Sequence, residues 1–418
     1  MRNDLMILII TITIASLLLV IAFLLIASVF RRFRHDRQYR QLDELRLSYR
    51  DRLTTALASG GIAGLAESFC AAPGSLAWRA VEDVLFAVIA DGTDGEARML
   101  FQRLGYVTYY EERLAARNVL VKASAIDKLG RMCCSSSTAK LLPMLDHQDP
   151  EILSVTVRAL SRLGAKEGML AIVGHLPVLL GRSLVTRKTM ETALLNFGEA
   201  AMLPLLEYRA ELADPWIMSC VLETLSHLPP DARSARLAAD QLTSPNAEVR
   251  SKALKVLGRA RSLSPEHLSG LVLPLFDDPV WFVRLQAAKS AGMLASKAAA
   301  RELGKLLFDK NWHVRSETAL ALTRFGDDAI EVFLDAIMTN DAYVRENICE
   351  ELERSGFCDR LIRNLGDDEG SLRARSREVL KAMHRLGFSI PLEEYALNGE
   401  DGRIRQELRG LLSDGRTA

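Results

Sequence analysis

The hydrophobic positions of this chain follow two different patterns, and the first is a continuous run. From Leu5 to Phe30 the sequence has 26 residues without a charged side chain. At about 1.5 Å per residue, a helix of this length more than spans a hydrocarbon core of roughly 30 Å. A cleaved signal peptide is the rival interpretation, but its apolar region is shorter and ends at a small-residue cleavage site. The run therefore predicts one N-terminal transmembrane helix.

The charges around this run predict its orientation. Arg2 and the α-amino group are the basic groups before it, whereas arginines crowd directly after it, at Arg31, Arg32, Arg34, Arg37 and Arg40. Basic residues beside a membrane span favour the cytoplasmic side. We therefore expect a single-pass protein of the inner (cytoplasmic) membrane, with the N-terminus outside and the C-terminal body in the cytoplasm. The predicted membrane-flank residues are Arg31, Arg32, Arg34 and Arg37.

The second pattern recurs along the rest of the chain. Each copy reads as a polar turn, a Val-Arg pair, and then Ala and Leu at helical spacing. The arginines of these pairs recur at nearly regular intervals, at Arg250, Arg284, Arg315, Arg345, Arg373 and, more weakly, Arg405. The same register extends backwards to Met218, Arg187, Leu153 and Val119. About ten repeats follow from this spacing.

A period of about 32 residues that holds two helical runs predicts an antiparallel helix pair. One pair cannot bury its apolar face alone, so stacked pairs form the folding unit. Residues four places before the register position are expected to cap the second helix, at Asp149, Asp214, Asn246, Asn311, Asp341 and Asp401. Prolines ten places before it are expected to bend the first helix, at Pro143, Pro177 and Pro274.

With these residues in place, the sequence resembles the HEAT-repeat family, especially the short subtype of phycobilisome lyases with its DP-x-VR-x-x-A-x-x-AL-x-x-LG pattern. The resemblance covers about residues 110–415. It implies an all-α fold, a right-handed α-solenoid of about ten HEAT-type helix pairs, preceded by the transmembrane helix. Leu153 and Met218 depart from the pattern, because both stand where the family has Arg.

Four segments are predicted. Residues 1–33 form the membrane anchor with its basic flank, and 34–75 form a helical stalk with a Gly-rich linker at Gly60, Gly61 and Gly64. Residues 76–118 form capping helices, and 119–418 form the solenoid.

The composition is typical of a helical protein, and the charge and the cysteine spacing argue against nucleic-acid binding and metal binding. Hydrophobic residues make up 49% of the chain, aromatic residues 6% and charged residues 25%. Residues 1–52 hold 9 of the 53 basic and 5 of the 53 acidic residues, which leaves 44 basic and 48 acidic residues beyond them. A net charge of −4 over that body argues against nucleic-acid binding. The six cysteines show no metal-ligand spacing, so we expect reduced thiols, no metal and no cofactor.

Three sets of residues are candidates for binding. The Val-Arg arginines could bind anions, but in the family they typically hydrogen-bond an acidic turn residue of a neighbouring repeat. A series of aromatic residues at the turns could bind a partner peptide, or each ring could pack over its own turn. The series comprises Trp216, Trp281, Trp312 and Tyr343. A row of basic residues at the C-terminal ends of the second helices could recognise an acidic segment of a partner. Alternatively, these residues only interact favourably with the helix dipole. The row comprises Lys128, Arg162, Arg259, Arg324 and Arg354.

Catalytic motifs are absent from the sequence, which predicts no enzymatic activity. The leading hypothesis is a membrane-tethered cytosolic scaffold that binds a protein partner, with no small-molecule ligand expected. The resemblance implies a membrane glycosyltransferase or envelope-assembly system as that partner. The alternatives are a chromophore-lyase-like enzyme subunit and a purely structural spacer.

Overall fold

The computed structural model describes residues 2–59, 65–90, 94–207, 214–260, 264–367 and 370–414. Within these ranges the chain folds into α-helices and short 3-10 helices, without a β-strand. This confirms the all-α class. The chain forms two compact units, unit 1 (Met1–Gly168) and unit 2 (Met169–Ala418). The glycines of the predicted linker, Gly60, Gly61 and Gly64, lie outside the described residues.

Unit 1 is built around aromatic side chains. Its helices are α1 (Arg2–Ser59), α2 (Leu65–Ser68), α3 (Leu76–Ala90), α4 (Asp94–Arg103), α5 (Tyr106–Arg113), α6 (Val119–Arg131), α7 (Thr138–Leu141) and α8 (Pro150–Leu163), with 3-10 helices at Ser135–Ser137 and Leu142–Asp146. The rings of Trp78 and Tyr106 stack with centroids 3.7 Å apart. The Tyr106 hydroxyl donates to the Trp78 carbonyl at 2.7 Å, so the buried polar group is satisfied. The second half of α1 packs on α3, where Arg46 binds Asp83.

The prediction of a membrane anchor is wrong. The apolar run lies in the first half of α1, a helix of 58 residues that ends at Ser59. No helix in the described part of the chain combines the length and the apolar character that crossing a membrane requires. The predicted single-pass inner-membrane location, and with it the membrane-flank role of Arg31, Arg32, Arg34 and Arg37, is therefore not supported.

Unit 2 is a series of helix pairs. The division between the units falls within α9 (Lys166–Gly174). The following helices are α10 (Leu176–Gly181), α11 (Arg187–Asn196), α12 (Met202–Glu207), α13 (Pro215–His227), α14 (Ala232–Asp240), α15 (Ala247–Leu257), α16 (Pro265–Val272), α17 (Trp281–Leu294), α18 (Lys297–Gly304), α19 (Trp312–Thr323), α20 (Ile330–Ile337), α21 (Ala342–Arg354), α22 (Phe357–Asn364), α23 (Gly370–Arg385), α24 (Ile390–Asn398) and α25 (Gly402–Asp414). Short 3-10 helices lie at Gly198–Ala201, Leu273–Asp277, Lys305–Phe308 and Gly326–Ala329.

The helices of unit 2 stack in two rows. The second helices of successive pairs, α11, α13, α15, α17, α19 and α21, each pack against the next in that order. The first helices form the other row, where α16 touches α18 and α18 touches α20. The apolar residues seven places after each register position, such as Leu225, Leu257 and Leu322, are buried between the rows. Within unit 2 this is the packing of an α-solenoid.

The predicted caps and bends are confirmed. All six capping residues accept a hydrogen bond from a backbone N–H in the first turn of the following helix. Pro143 and Pro274 are the second residues of 3-10 segments, and Pro177 is the second residue of α10. Proline has no N–H to donate to the preceding helical turn, so the regular helix is interrupted at these positions. Two register positions differ: α6 begins at Val119 after the cap Asn118, and α11 begins at Arg187 after the cap Thr186. In these two repeats the register position is therefore one residue after the cap, whereas in the other repeats it is four residues after the cap.

Candidate functional site

The turns before the second helices lie along one edge of unit 2. Second helices of stacked pairs run in the same direction, since each follows an antiparallel first helix. Their N-terminal turns therefore stand side by side in the order α17, α19, α21. We call this side, where each first helix turns into its second helix, the turn edge. The caps Asn311 and Asp341 fix where α19 and α21 begin and hence where their first side chains point.

The predicted aromatic series lies on this edge and is solvent-exposed. Trp281 and Trp312 are the first residues of α17 and α19, and Tyr343 is the second residue of α21. Their exposed fractions are 40%, 59% and 76%. Large aromatic side chains seldom remain this exposed in a row, since each would gain from burial. The alternative that each ring packs over its own turn thus accounts for only part of the ring surface.

Two of these aromatic residues are joined by a histidine. The His313 ring stacks on Trp312 with centroids 3.6 Å apart, and it lies 5.4 Å from the Trp281 centroid at an interplanar angle of 23°. Trp281 belongs to α17, whereas the other two rings belong to α19. The stack therefore extends across two repeats and presents one continuous aromatic surface.

Trp216 stands apart from this surface. It lies in the first turn of α13 and is 61% exposed, but the Arg187 guanidinium carbon is 5.1 Å from its ring centroid. Arg187 also bonds Glu248 on α15 and donates to Ser219 at 3.2 Å. The second helix α15, which carries Glu248 in its first turn, separates Trp216 from Trp281. The structure therefore does not bring Trp216 together with the other three aromatic residues.

Two apolar residues that the sequence reasoning missed complete the edge. Phe308 and Met338 each lie three residues before a cap, and are 48% and 67% exposed. The signal was present in the sequence, because the two residues occupy the same position in consecutive repeats. We define the turn-edge patch as Trp281, Phe308, Trp312, Met338 and Tyr343.

The Val-Arg arginines hold the turns beneath this patch. Arg250 binds Asp278 through two hydrogen bonds of 2.7 and 2.9 Å, and Arg284 binds Asp309 through two of 2.6 and 2.8 Å. Each arginine also donates to backbone carbonyls of its own turn, as Arg284 does to Asp278 at 2.8 Å. Bidentate pairs of this kind fix geometry as well as charge. The predicted structural role is therefore confirmed for these two arginines.

The same contacts explain the titration of the two aspartates. Burial acts to raise the pKa of Asp309, but the Arg284 hydrogen bonds outweigh it, so the pKa lies below its ordinary value. The pKa of Asp278 is lowered in the same way by Arg250. The series of Arg–Asp pairs is interrupted in the next repeat, because Thr339 occupies the place that Asp309 and Asp278 hold in the earlier repeats. Arg315 keeps its bond to the Asp309 carbonyl, but its buried Nε has no partner.

The predicted basic row is divided and mostly paired. Lys128 and Arg162 lie in unit 1, where Lys128 binds the buried Glu82 at 2.7 Å and Arg162 binds Asp127 at 2.9 Å. In unit 2, Arg259 donates to the Ser226 carbonyl and Arg354 binds Glu351. Arg324 is exposed at the end of α19. Four of the five side chains thus have structural partners.

Four of the six cysteine thiols are buried, whereas Cys70 is exposed and Cys133 is half-buried. Burial raises the pKa of Cys134 to about 11 and those of Cys349 and Cys358 to about 12, so these thiols stay protonated at neutral pH. Burial also raises the pKa of Cys220. Among the described residues, no group of three or more His, Cys, Asp or Glu side chains is placed to hold a metal ion.

Comparisons with known proteins give a structural likeness and a family match. The chain is similar to an engineered protein whose crystal structure was determined by the Northeast Structural Genomics Consortium. The two share 16% sequence identity with a TM-score of 0.41, and the match covers 75% of this chain and 99% of the engineered one. No curated protein matches the chain.

A family model is more specific. Residues 268–353 match the model for HEAT repeats. This segment extends from α16 into α21 and contains the whole turn-edge patch. Neither comparison points to the phycobilisome-lyase subtype. The predicted HEAT resemblance is therefore confirmed for residues 268–353, which include the candidate site.

Proposed function

We propose that this protein is a non-enzymatic scaffold that binds a protein partner through the turn-edge patch. The observation that carries the proposal is the exposure of five large apolar side chains on three consecutive repeats, from 40% at Trp281 to 76% at Tyr343. Contiguous exposed apolar surface typically marks a protein interface, and Trp and Tyr are favoured anchors there. HEAT-type repeats supply a long surface of this kind.

The frame beneath the patch supports the same function. Because Arg250 and Arg284 are clamped by Asp278 and Asp309, the turns that carry Trp281 and Trp312 are held in place before a partner binds. Binding then orders few groups, and the cost in conformational entropy is small. With no membrane span in the described residues, nothing favours a membrane glycosyltransferase or an envelope-assembly system over other protein partners.

Co-purification of partners with matched variants tests the proposal. The patch variant is Trp281→Ser combined with Trp312→Ser. The control is Ile390→Ser combined with Leu397→Ser, which removes two apolar side chains, 71% and 70% exposed, from α24. We expect a partner that the wild-type protein and the control retain and that the patch variant loses. If every protein retained by the wild type also remains with the patch variant, the proposal is wrong.

A further inference from the structure

A groove of about 810 Å³ lies between the first helices α18 and α20. Its floor is made of small apolar residues, with Ala300 and Ala336 almost completely buried. Gly304 keeps the floor low, because a Cβ atom at this position would lie 2.5 Å from Cγ1 of Val332. Phe308 also lines the groove and keeps nearly half of its surface exposed. The floor is therefore an apolar strip with one larger anchor.

The two walls of the groove carry opposite charges. On the α18 side Arg301 and Lys305 lie one turn apart, and on the α20 side Glu331 and Asp335 lie one turn apart. Glu302 also lines the α18 side and binds Lys305, and Glu331 binds Arg375 outside the groove, so Arg301 and Asp335 carry the uncompensated charges of the two walls. Within the described residues, neither Arg301 nor Asp335 has an opposite charge within ion-pair distance. The groove thus offers a basic wall and an acidic wall to a molecule that enters it.

We infer that this groove binds one amphipathic helix of a protein partner. The charges on each wall are one helical turn apart, so they match the pitch of about 5.4 Å of a bound helix lying alongside. An apolar stripe on that helix would rest on Ala300, Ala336 and Phe308, in the helix-in-groove mode of recognition. Its flank facing α18 carries Asp or Glu, and its flank facing α20 carries Lys or Arg. This inference goes beyond the turn-edge patch, with which the groove shares Phe308, and it does not depend on the patch binding a partner.

Three helical peptides of about 15 residues probe the groove in the full-length protein. All three share one leucine stripe and differ only in the flanks: one acidic and one basic, both acidic, or both basic. The mixed peptide meets attraction at both walls, whereas each of the others meets repulsion at one. In fluorescence anisotropy we expect the mixed peptide to bind roughly fivefold more tightly than either uniform peptide.

Charge reversal of one wall makes the prediction directional. Arg301→Glu with Lys305→Glu makes both walls acidic, so the tightest ligand becomes the peptide with two basic flanks. Glu331→Lys with Asp335→Lys makes both walls basic, so the peptide with two acidic flanks becomes the tightest. The control is Lys188→Glu with Arg236→Glu, two exposed residues outside the groove, and it keeps the wild-type order. Circular dichroism establishes that each variant is folded.

Two results overturn the inference. One is that no peptide binds the wild-type protein. The other is that the reversed walls leave the order of the three peptides unchanged. Trp281→Ser with Trp312→Ser keeps peptide binding if the groove acts alone, so failure of the groove and failure of the turn-edge patch can be told apart.

Discussion

Gly292 on α17 lies directly against Ala321 on α19. A Cβ atom at Gly292 would lie 2.7 Å from Cβ and 2.9 Å from Cα of Ala321. The two helices can approach this closely only because the side chain is missing. The same relationship recurs one repeat earlier, where a Cβ at Gly258 would lie 3.0 Å from Cβ of Ser290. Close contact of second helices therefore rests on small residues at one repeat position.

Gly292→Ala should destabilise unit 2. Alanine favours a helix by about 1 kcal/mol over glycine, but overpacking costs about 1–3 kcal/mol, and here backbone atoms must move. We expect a net loss of about 1 kcal/mol in the free energy of unfolding, measured by urea titration. Gly410→Ala is the control, because nothing lies within 4 Å of its Cβ position in α25. It should stabilise the protein slightly, and equal effects at the two sites would contradict the close-packing account.

Asp309→Ala should be strongly destabilising. Arg284 and Asp309 keep only 7% and 6% of their side-chain surface exposed, so removing the carboxylate leaves a buried guanidinium without its counter-charge. Breaking such a pair costs about 3–5 kcal/mol, and the remaining carbonyl bonds of Arg284 favour the lower end. The measurement is the free energy of unfolding from urea titration. Asp335→Ala, an exposed aspartate on α20, should change it by less than about 0.5 kcal/mol.

Thr339→Asp should stabilise the protein. It restores the carboxylate that clamps Arg250 and Arg284 in the earlier repeats and offers a partner to the buried Nε of Arg315. A hydrogen bond to a charged group contributes about 1.5–3 kcal/mol when its geometry is good. We expect a gain of about 1 kcal/mol in the wild-type background. In an Arg315→Met background the gain should disappear, and a gain that persists there would show that Arg315 is not the partner.

Glu223 should make stability depend on pH. Burial acts to raise its pKa, but hydrogen bonds from Lys252 and Lys255 outweigh this and lower the pKa to about 2. An unfolded glutamate has a pKa of about 4.3, so the contribution is complete above that pH and is lost as pH falls towards 2. It is on the order of 2 kcal/mol.

Glu223→Gln tests this pH dependence. At pH 5 the variant should be less stable than the wild type, and the difference should shrink by pH 3, measured by urea unfolding at each pH. The exposed carboxylate Glu394 supplies the control, because Glu394→Gln should leave the wild-type curve unchanged. A constant difference between wild type and Glu223→Gln from pH 5 to pH 3 would refute the assignment.

The repeat fold was readable from local signals. Capping by Asn311 and Asp341, the bend at Pro274 and the Val-Arg pairs each depend on residues within one repeat, so the period of the sequence reveals them. Register failed at Val119 and Arg187, where the caps Asn118 and Thr186 start the helix later than the spacing indicated.

Features that depend on contacts between repeats could not be read in this way. The groove between α18 and α20 depends on the packing of Gly304 against Val332. These two residues lie in different repeats, so no pattern within one repeat predicts their contact. The membrane prediction rested on the apolar run and on the basic residues that follow it, but the structure describes no helix that is long and apolar enough to cross a membrane. The membership of Phe308 and Met338 in the turn-edge patch also depends on the structure, because an apolar residue in the sequence is equally compatible with a buried position until its exposed fraction is known.

Site-specific photocross-linking tests the central claim most directly. A benzophenone amino acid replaces Met338 or Tyr343 in the turn-edge patch, or Arg236 or Leu397 outside it, in the full-length protein. We predict that both patch positions cross-link the same partner and that neither outside position does. Equal cross-linking of that partner from all four positions, or none from the patch, would contradict it.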